Sequence, residues 1–302
     1  MSASDGHGSA LRMGALVEPA VELGPITVAD LPEVAQFLHD QLDPRVPVEC
    51  WSAQIIPTWS VDQPNHGFLL RCGAEVVGAH LAFYSDRRID GRTERFCNLA
   101  AWCVAQPYRS HGVRLLRALL RQQGYHFTDL SPSIDVQALN TRLGFVALDT
   151  STVVVPNVPW PIRSDGVRVL SHFPDIKKSL RAEVLSVYLD HAGAAAVQHA
   201  VIVRGTQTCH VMFRRVRRKN LPLFAALVHV SNHRLFRETG RHLFGHLLLH
   251  HGLPATLIES HVVDARFTGS VQASARAKMY RSDTLRAAQI DYLYSELTSM
   301  RW

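Results

Sequence analysis

The sequence predicts a mixed α/β (α+β) chain of two similar halves, each a mostly antiparallel mixed sheet flanked by helices. Three observations predict it. Apolar runs of strand length, separated by turn residues, form a meander between residues 67 and 104. That meander enters a helix through a glycine-bearing turn. The same order of elements then returns between residues 167 and 263.

Along the chain, Ile26-Thr-Val28 reads as a strand. Asp30 caps an amphipathic helix that carries Pro32 in its first turn. Gly67 to Cys72, Glu75 to Tyr84 and Phe96 to Val104 are the meander strands, joined by Gly73-Ala74 and Asp90-Gly91. The third strand stops at Pro107 and turns through Arg109-Ser-His-Gly112. It becomes a helix with leucines at 115, 116, 119 and 120, closed by Gly124. His126 to Ser131 reads as another strand, and a short helix ends on Leu143-Gly144-Phe145. After Thr150 a proline-punctuated stretch through Trp160-Pro161 marks a linker, which sets the expected units at 1–23 (a flexible leader), 24–150 and 151–302.

In the second half, Val167 to Leu170 is a strand and Pro174 opens a helix that runs to about Tyr188. His199 to Arg204, Gln207 to Arg218 and Pro222 to Val230 form a second meander, turning at Gly205-Thr206 and Lys219-Asn220. Arg237 to Gly252 aligns without gaps on Arg109 to Gly124. Gly112 meets Gly240, Leu115 meets Leu243 and Leu119 meets Leu247. Ala255 to Val263 is the strand that follows. A duplicated unit is the expectation, with the second copy more diverged and lacking a Leu-Gly-Phe corner.

At 47% hydrophobic and 19% charged residues over 302 positions, the composition suits packed cores and excludes a disordered chain. A formal charge of +6 suits an anionic small ligand and does not argue for nucleic acid. Cysteines 50, 72, 97, 103 and 209 form no C-x-x-C, and their odd number argues against a disulfide framework. No secretory signal or apolar run of membrane-spanning length is evident, so a cytoplasmic protein with no membrane partner is expected.

The turn carries the chemistry. Amide groups in the first turn of a helix lack internal partners, and the helix dipole there favours an anion. Gly112 permits close backbone approach. In its order of elements, its Arg109-Ser-His-Gly112-Val-Arg114 turn and its Leu143-Gly144-Phe145 corner, residues 24–150 resemble the GNAT N-acetyltransferase superfamily. The two halves together resemble a tandem, GNAT-like arrangement, in a little-characterised bacterial branch.

The resemblance implies acetyl-CoA or another acyl-CoA as co-substrate and direct acyl transfer to an amine of a small metabolite or sugar. It implies backbone contacts from Trp102, Cys103 and Val104 to the pantetheine, and pyrophosphate contacts from Arg109, Ser110, His111, Gly112, Val113 and Arg114. Two positions depart from the superfamily. Arg114 stands where Gly or Ala is usual, and Asn140 stands where a tyrosine often protonates the leaving thiolate. No carboxylate lies between Phe96 and Val104, where many relatives keep one.

Candidates for the base are therefore His80 and Asp129, with Asn98 and Ser131 orienting substrate or water. A core histidine is the plain alternative for His80. Cys97 and Cys103 read as small buried hydrophobes rather than nucleophiles. His242, His246 and His250 share a helical spacing, yet no carboxylate or cysteine accompanies them, so no metal is expected. The basic run Arg214 to Lys219 reads as a charged sheet edge or a contact to an anionic ligand. The alternatives to the enzyme reading are a non-catalytic acyl-CoA-binding protein and acyl transfer from a carrier other than CoA.

Overall fold

The computed structural model describes residues 20–158, 166–218, 221–274 and 276–301. Of the expectations above, most of the leader, Trp160-Pro161 and the Lys219-Asn220 turn lie outside these residues. The first half contains β1 (Val21–Pro25), α1 (Leu31–Gln41), α2 (Val48–Ile55), β2 (Gly67–Cys72), β3 (Glu75–Ile89) and β4 (Arg92–Val104). A 3-10 turn (Gln106–His111), α3 (Gly112–Leu120), β5 (His126–Asp129), α4 (Ile134–Arg142) and β6 (Val146–Ala147) follow. The second contains β7 (Thr152–Pro156), β8 (Val167–Leu170), α5 (Phe173–Ser179), α6 (Ala182–His191), β9 (Gln198–Arg204), β10 (Gln207–Arg218) and β11 (Leu221–Val230). It ends with α7 (His233–His251), β12 (Ala255–Glu259), β13 (Val271–Ala273), β14 (Met279–Arg281) and α8 (Glu296–Ser299).

The first strand lies earlier than its sequence signal. Val21–Pro25 pairs with β2, while Ile26 is fully buried beneath it and residues 28–30 form a 3-10 turn. The hairpin from β3 to β4 turns at Asp90 (φ 50°) and Gly91 (φ 81°), the two left-handed residues that a tight hairpin of matching twist requires.

Both sheets are seven-stranded among the described residues, and they share one plan. The first has the order β1-β2-β3-β4-β5-β14-β6. Taken from β8, the second has the order β8-β9-β10-β11-β12-β7-β13. In each, four antiparallel strands are followed by one parallel neighbour, β4 with β5 and β11 with β12. The sixth place is then filled from the far side of the chain. β7 enters the second sheet beside β12, and β14 returns to the first sheet between β5 and β6. The expected division at residue 150 thus misses this crossing, because residues 279–281 were counted with the second half. Strand order is a non-local property that neither periodicity nor composition reports.

α1 and α2 cover one face of the first sheet, burying Val34, Leu38, Trp51 and Ile55 against Leu81 and Phe83. α3 covers the other face with Leu115, Leu116 and Leu119. The second sheet is covered on one face by α7, through Leu235, Phe236, Leu243 and Leu247. That core also takes in Phe96, Leu130 and Leu148 of the first half, so the two halves share one continuous interior. Where a single helix to Tyr188 was expected, α5 and α6 are separate. No helix among the described residues is long and apolar enough to cross a membrane.

Candidate functional site

β4 and β5 run parallel from Phe96–His126 to Leu99–Asp129 and then part. β4 continues to Val104 on β3 alone. At the parting point the register slips, since Ala79 faces Cys103 while Leu81 faces Ala100. One extra residue therefore sits on β4, and Ala101 takes a positive φ of 47°. A non-glycine residue there is strained, a feature that concentrates at functional sites. The bulge also reverses the facing of the strand. Cys97 and Leu99 pack on the α3 face before it, Ala100 and Ala101 pack toward α1 and α2, and Trp102 and Val104 return to the α3 face. The result is a fork whose β4 side, from Ala100 onward, has no strand beside it among the described residues where β5 has ended. An extended ligand can add to such an edge through backbone hydrogen bonds.

Beyond the fork, Ala105 caps the 3-10 turn, which runs directly into α3. The free amides expected around Gly112 are displaced by this continuity. The Gly112 N–H donates to the Arg109 carbonyl, and the Tyr108 N–H donates to that of Ala105. Anion contacts in this turn consequently fall to side chains, of which Arg109 and Ser110 are exposed. Arg114 is turned away, donating to the Val21 carbonyl (2.9 Å) and lying 3.1 Å from His111 Nδ1. Gly112 is buried, and a Cβ there would lie 3.4 Å from Val104 and 3.6 Å from Trp102, so helix and strand are in close contact. Val113 follows in the first turn of α3.

His80 lies opposite the bulge and stacks on Trp102, with ring centroids 5.0 Å apart and 4° between planes. It is wholly buried, its Nδ1 has no partner, and burial alone lowers its pKa to about 3. Such a ring stays neutral and is a weak proton acceptor. Cys97 is buried and its thiol is pushed up by burial; Cys103 is raised by burial too, with Arg109 opposing. Neither has the low pKa of a nucleophile.

The fork holds polar groups on both faces, Asn98 facing away from α3 and Asp129 lying with Leu99 on the α3 side. Asn98 donates to the Thr128 hydroxyl (3.0 Å), and its Oδ1 accepts the Glu296 N–H (2.9 Å). Ser131 donates its hydroxyl to Glu296 Oε1 (3.1 Å), and Asn140 donates to Asp129 Oδ2 (2.8 Å). Glu296 Oε2 and Asn140 Oδ1 are buried without partners. Burial raises Asp129 to about 6 against hydrogen bonds from Asn140 and Ser131. Burial, then the nearby Asp129 charge, raises Glu296 to about 7.

Of the four expected catalytic residues, Asn98 and Ser131 thus meet through Glu296, while Asp129, bonded to Asn140, and His80, stacked on Trp102, lie on the α3 side. Sequence reasoning passed over Glu296, and read Arg214 as part of a charged sheet edge or a contact to an anionic ligand, whereas its side chain is half-buried. Arg214, on β10, donates to the Met300 carbonyl (3.1 Å), and burial lowers its pKa to about 10 against the pull of Glu296. The signal that could have found Glu296 is its isolation as an acid between Leu293-Tyr294-Ser295 and Leu297.

The segment bearing Glu296 is strapped to β3 by Arg87. This side chain, 5% exposed, pairs with Asp291 (2.6 Å), donates to the Leu293 carbonyl (2.6 Å) and lies over the Phe96 ring at 4.0 Å. Arg87→Ala is expected to lower unfolding free energy by about 2 kcal/mol, a charged hydrogen bond's worth discounted for the half-exposed Asp291. Urea unfolding checks the loss, and proteolysis near residue 291 checks whether the segment has loosened.

The second half has no equivalent fork turn. Arg237 to Gly240 lie inside α7 rather than in a turn, and a Cβ on Gly240 would meet Phe267 at 2.9 Å. Phe236, Phe244 and Phe267 close that region edge to face. Two clefts on the second sheet, about 290 Å³ beside Asp149 and Arg266 and about 130 Å³ beside Phe267, hold no buried unpartnered polar side chain. His246 and His250 stack at 4.4 Å, and no metal-holding cluster occurs among the described residues.

The chain is similar in fold to a GCN5-related N-acetyltransferase from Anabaena variabilis ATCC 29413. The TM-score is 0.60 at 11% identity, over 87% of this chain and 72% of that one. It is similar to a putative acetyltransferase from Pyrococcus horikoshii, with TM-score 0.55 at 15% identity over 98% and 100% of the two chains. Saccharomyces cerevisiae N-myristoyltransferase, solved with bound myristoyl-CoA, gives 0.51 at 9% identity over 91% and 84%. No family model and no curated protein matches the sequence.

Proposed function

Because the chain has the GCN5-related N-acetyltransferase fold, we propose that its first half binds acyl-CoA and transfers the acyl group, acetyl first among candidates, directly to a small-molecule amine. The observation that carries the reading is the fork itself, with a strained bulge at Ala101 and an unpaired β4 edge leading to the Gln106–His111 turn. A pantetheine arm fits an edge of this kind, accepting and donating along Trp102, Cys103 and Val104. Arg109, Ser110 and His111 flank the pyrophosphate at the helix start, where the dipole favours an anion. The bound acyl-CoA of the yeast neighbour supports this class of co-substrate.

A second reading has its own support. Asn140 cannot supply a proton, and Met300 is fully buried in the same core as Ala100 and Ala101, which suits a non-catalytic acyl-CoA binder. Release of CoA thiol from acetyl-CoA, measured against a panel of primary amines, separates the two. Amine-dependent release is expected. Tight binding of acetyl-CoA without release would favour the binding protein.

A further inference from the structure

We infer that Glu296, carried by the second half and held by Asn98 and Ser131 of the first, takes the proton from the acceptor, so that the catalytic base is built from both halves of the chain and the acceptor enters as an alkylammonium ion. This rests on the acyl-transfer reading above.

Position is the first argument. The Glu296 N–H is fixed to Asn98, one residue before the last β4–β5 pair, and its Oε1 is fixed to Ser131 just past the end of β5. The carboxylate therefore bridges the two strands where they separate, which is where an acyl group following the β4 edge would end. The second argument is the orphan. Glu296 is fully buried, yet Oε2 has no donor, and a buried acceptor left unpaired is costly. An ammonium N–H would satisfy it.

The surroundings fix the charge. β4 contributes the Asn98 amide, β5 the Thr128 and Ser131 hydroxyls, and α4 the Asn140 amide. β10 contributes Arg214, which is drawn to Glu296 and repelled by Arg276. Burial, then the Asp129 charge, raises Glu296 to about 7, so near neutrality its carboxyl is present in both ionised and protonated forms.

The step balances. The ammonium gives one proton to the ionised carboxylate, freeing its lone pair. The nitrogen bonds to the thioester carbonyl carbon as the C=O π pair moves to oxygen. Return of that pair breaks the C–S bond, and the departing sulfur takes the second nitrogen proton. An amide and CoA thiol result, and the carboxyl returns its proton to solvent.

The test uses the full chain with acetyl-CoA and putrescine, tyramine, benzylamine and glucosamine, across pH 6 to 9. Thiol release and acetyl-CoA affinity are both measured. At least one amine is expected to react, with kcat/KM rising through an inflection near neutrality. Glu296→Gln keeps an acceptor for Ser131 and should fold; it is expected to lower kcat roughly 100-fold or more while leaving acetyl-CoA affinity unchanged. Asp129→Asn is expected to shift the inflection to lower pH. Wild-type kcat and pH profile in Glu296→Gln would overturn the proposal, as would acetyl-CoA binding with no amine acetylated at any pH. Failure of the wild type to bind acetyl-CoA would instead overturn the acyl-transfer reading.

Discussion

Lowering the pH from 7 to 5 is expected to remove most of the folding stability of this protein. Five histidines, His80, His191 and His210 buried and His199 and His229 half-buried, are held neutral: His80 is lowered to about 3, His191, His199 and His229 to about 4, and His210 well below its ordinary value. Desolvation is the leading cause for each, and neighbouring imidazoles add to it at His191, His210 and His229. Hydrogen bonds fix the neutral form as well. His191 Nδ1 pairs with the Val187 carbonyl (2.9 Å), so its Nε2 accepts the Tyr294 N–H (3.1 Å). His199 Nε2 pairs with the His191 carbonyl (3.1 Å), leaving Nδ1 to accept from His210 Nε2 (3.0 Å). Protonation would set donor against donor at both places.

The sign follows from linkage. A histidine whose folded pKa is depressed contributes stability that is present above the unfolded value of ~6.5 and lost as pH falls toward the folded one. At pH 5 each such group has lost roughly 2 kcal/mol. Asp129 and Glu296 act oppositely, because their raised pKa values favour the folded state as pH drops below about 7. Two acids do not offset five histidines, and total stability for a domain is only about 5–15 kcal/mol. Urea midpoints at pH 7, 6 and 5 should fall steeply. A midpoint that holds steady or rises on acidification would contradict the assignment of neutral buried imidazoles.

Gly67→Ala is expected to cost about 3–5 kcal/mol, combining left-handed strain with severe overpacking. Gly67 opens β2 with φ 118°, a region that L side chains rarely adopt. An added Cβ would lie 2.1 Å from the His80 carbonyl oxygen and 2.8 Å from the Leu81 Cα, both backbone atoms. Neither can move without shifting β3 at the position facing the Ala101 bulge. The residue is also held in place from both sides: its N–H donates to Asn65 Oδ1 (2.8 Å) and its carbonyl accepts from Ile26 (2.8 Å). The urea midpoint should therefore drop sharply, and an unchanged midpoint would show that the strand accommodates a side chain there.

How far the sequence alone carries depends on whether the signal is local. The meander, the helices and the Asp90-Gly91 hairpin announce themselves through alternation and turn residues. β10 appears at its predicted bounds, and Asn98 and Ser131 do gather at one place, both bonded to Glu296. What was illegible is what depends on long-range pairing. β14 enters the first sheet from residues 279–281, and Glu296 reaches Asn98 across a separation of 198 residues; no periodicity encodes either. The bulge at Ala101 hides because alanine gives no hint of a positive φ. Gly240 misled for the opposite reason. A glycine aligned with Gly112 looked like a second turn, whereas its space is taken by the Phe267 ring. His80 was read from its ordinary pKa, which full burial beside Trp102 removes.

The central claim is that one fork, in the first half, binds acyl-CoA. Calorimetric titration of the full chain with acetyl-CoA tests it most directly, beside Ser110→Glu, which places a carboxylate on the exposed turn without touching the core. The account predicts a single site per chain, with affinity about tenfold weaker in the variant. No binding, two equivalent sites, or an affinity indifferent to the charge at residue 110 would contradict it.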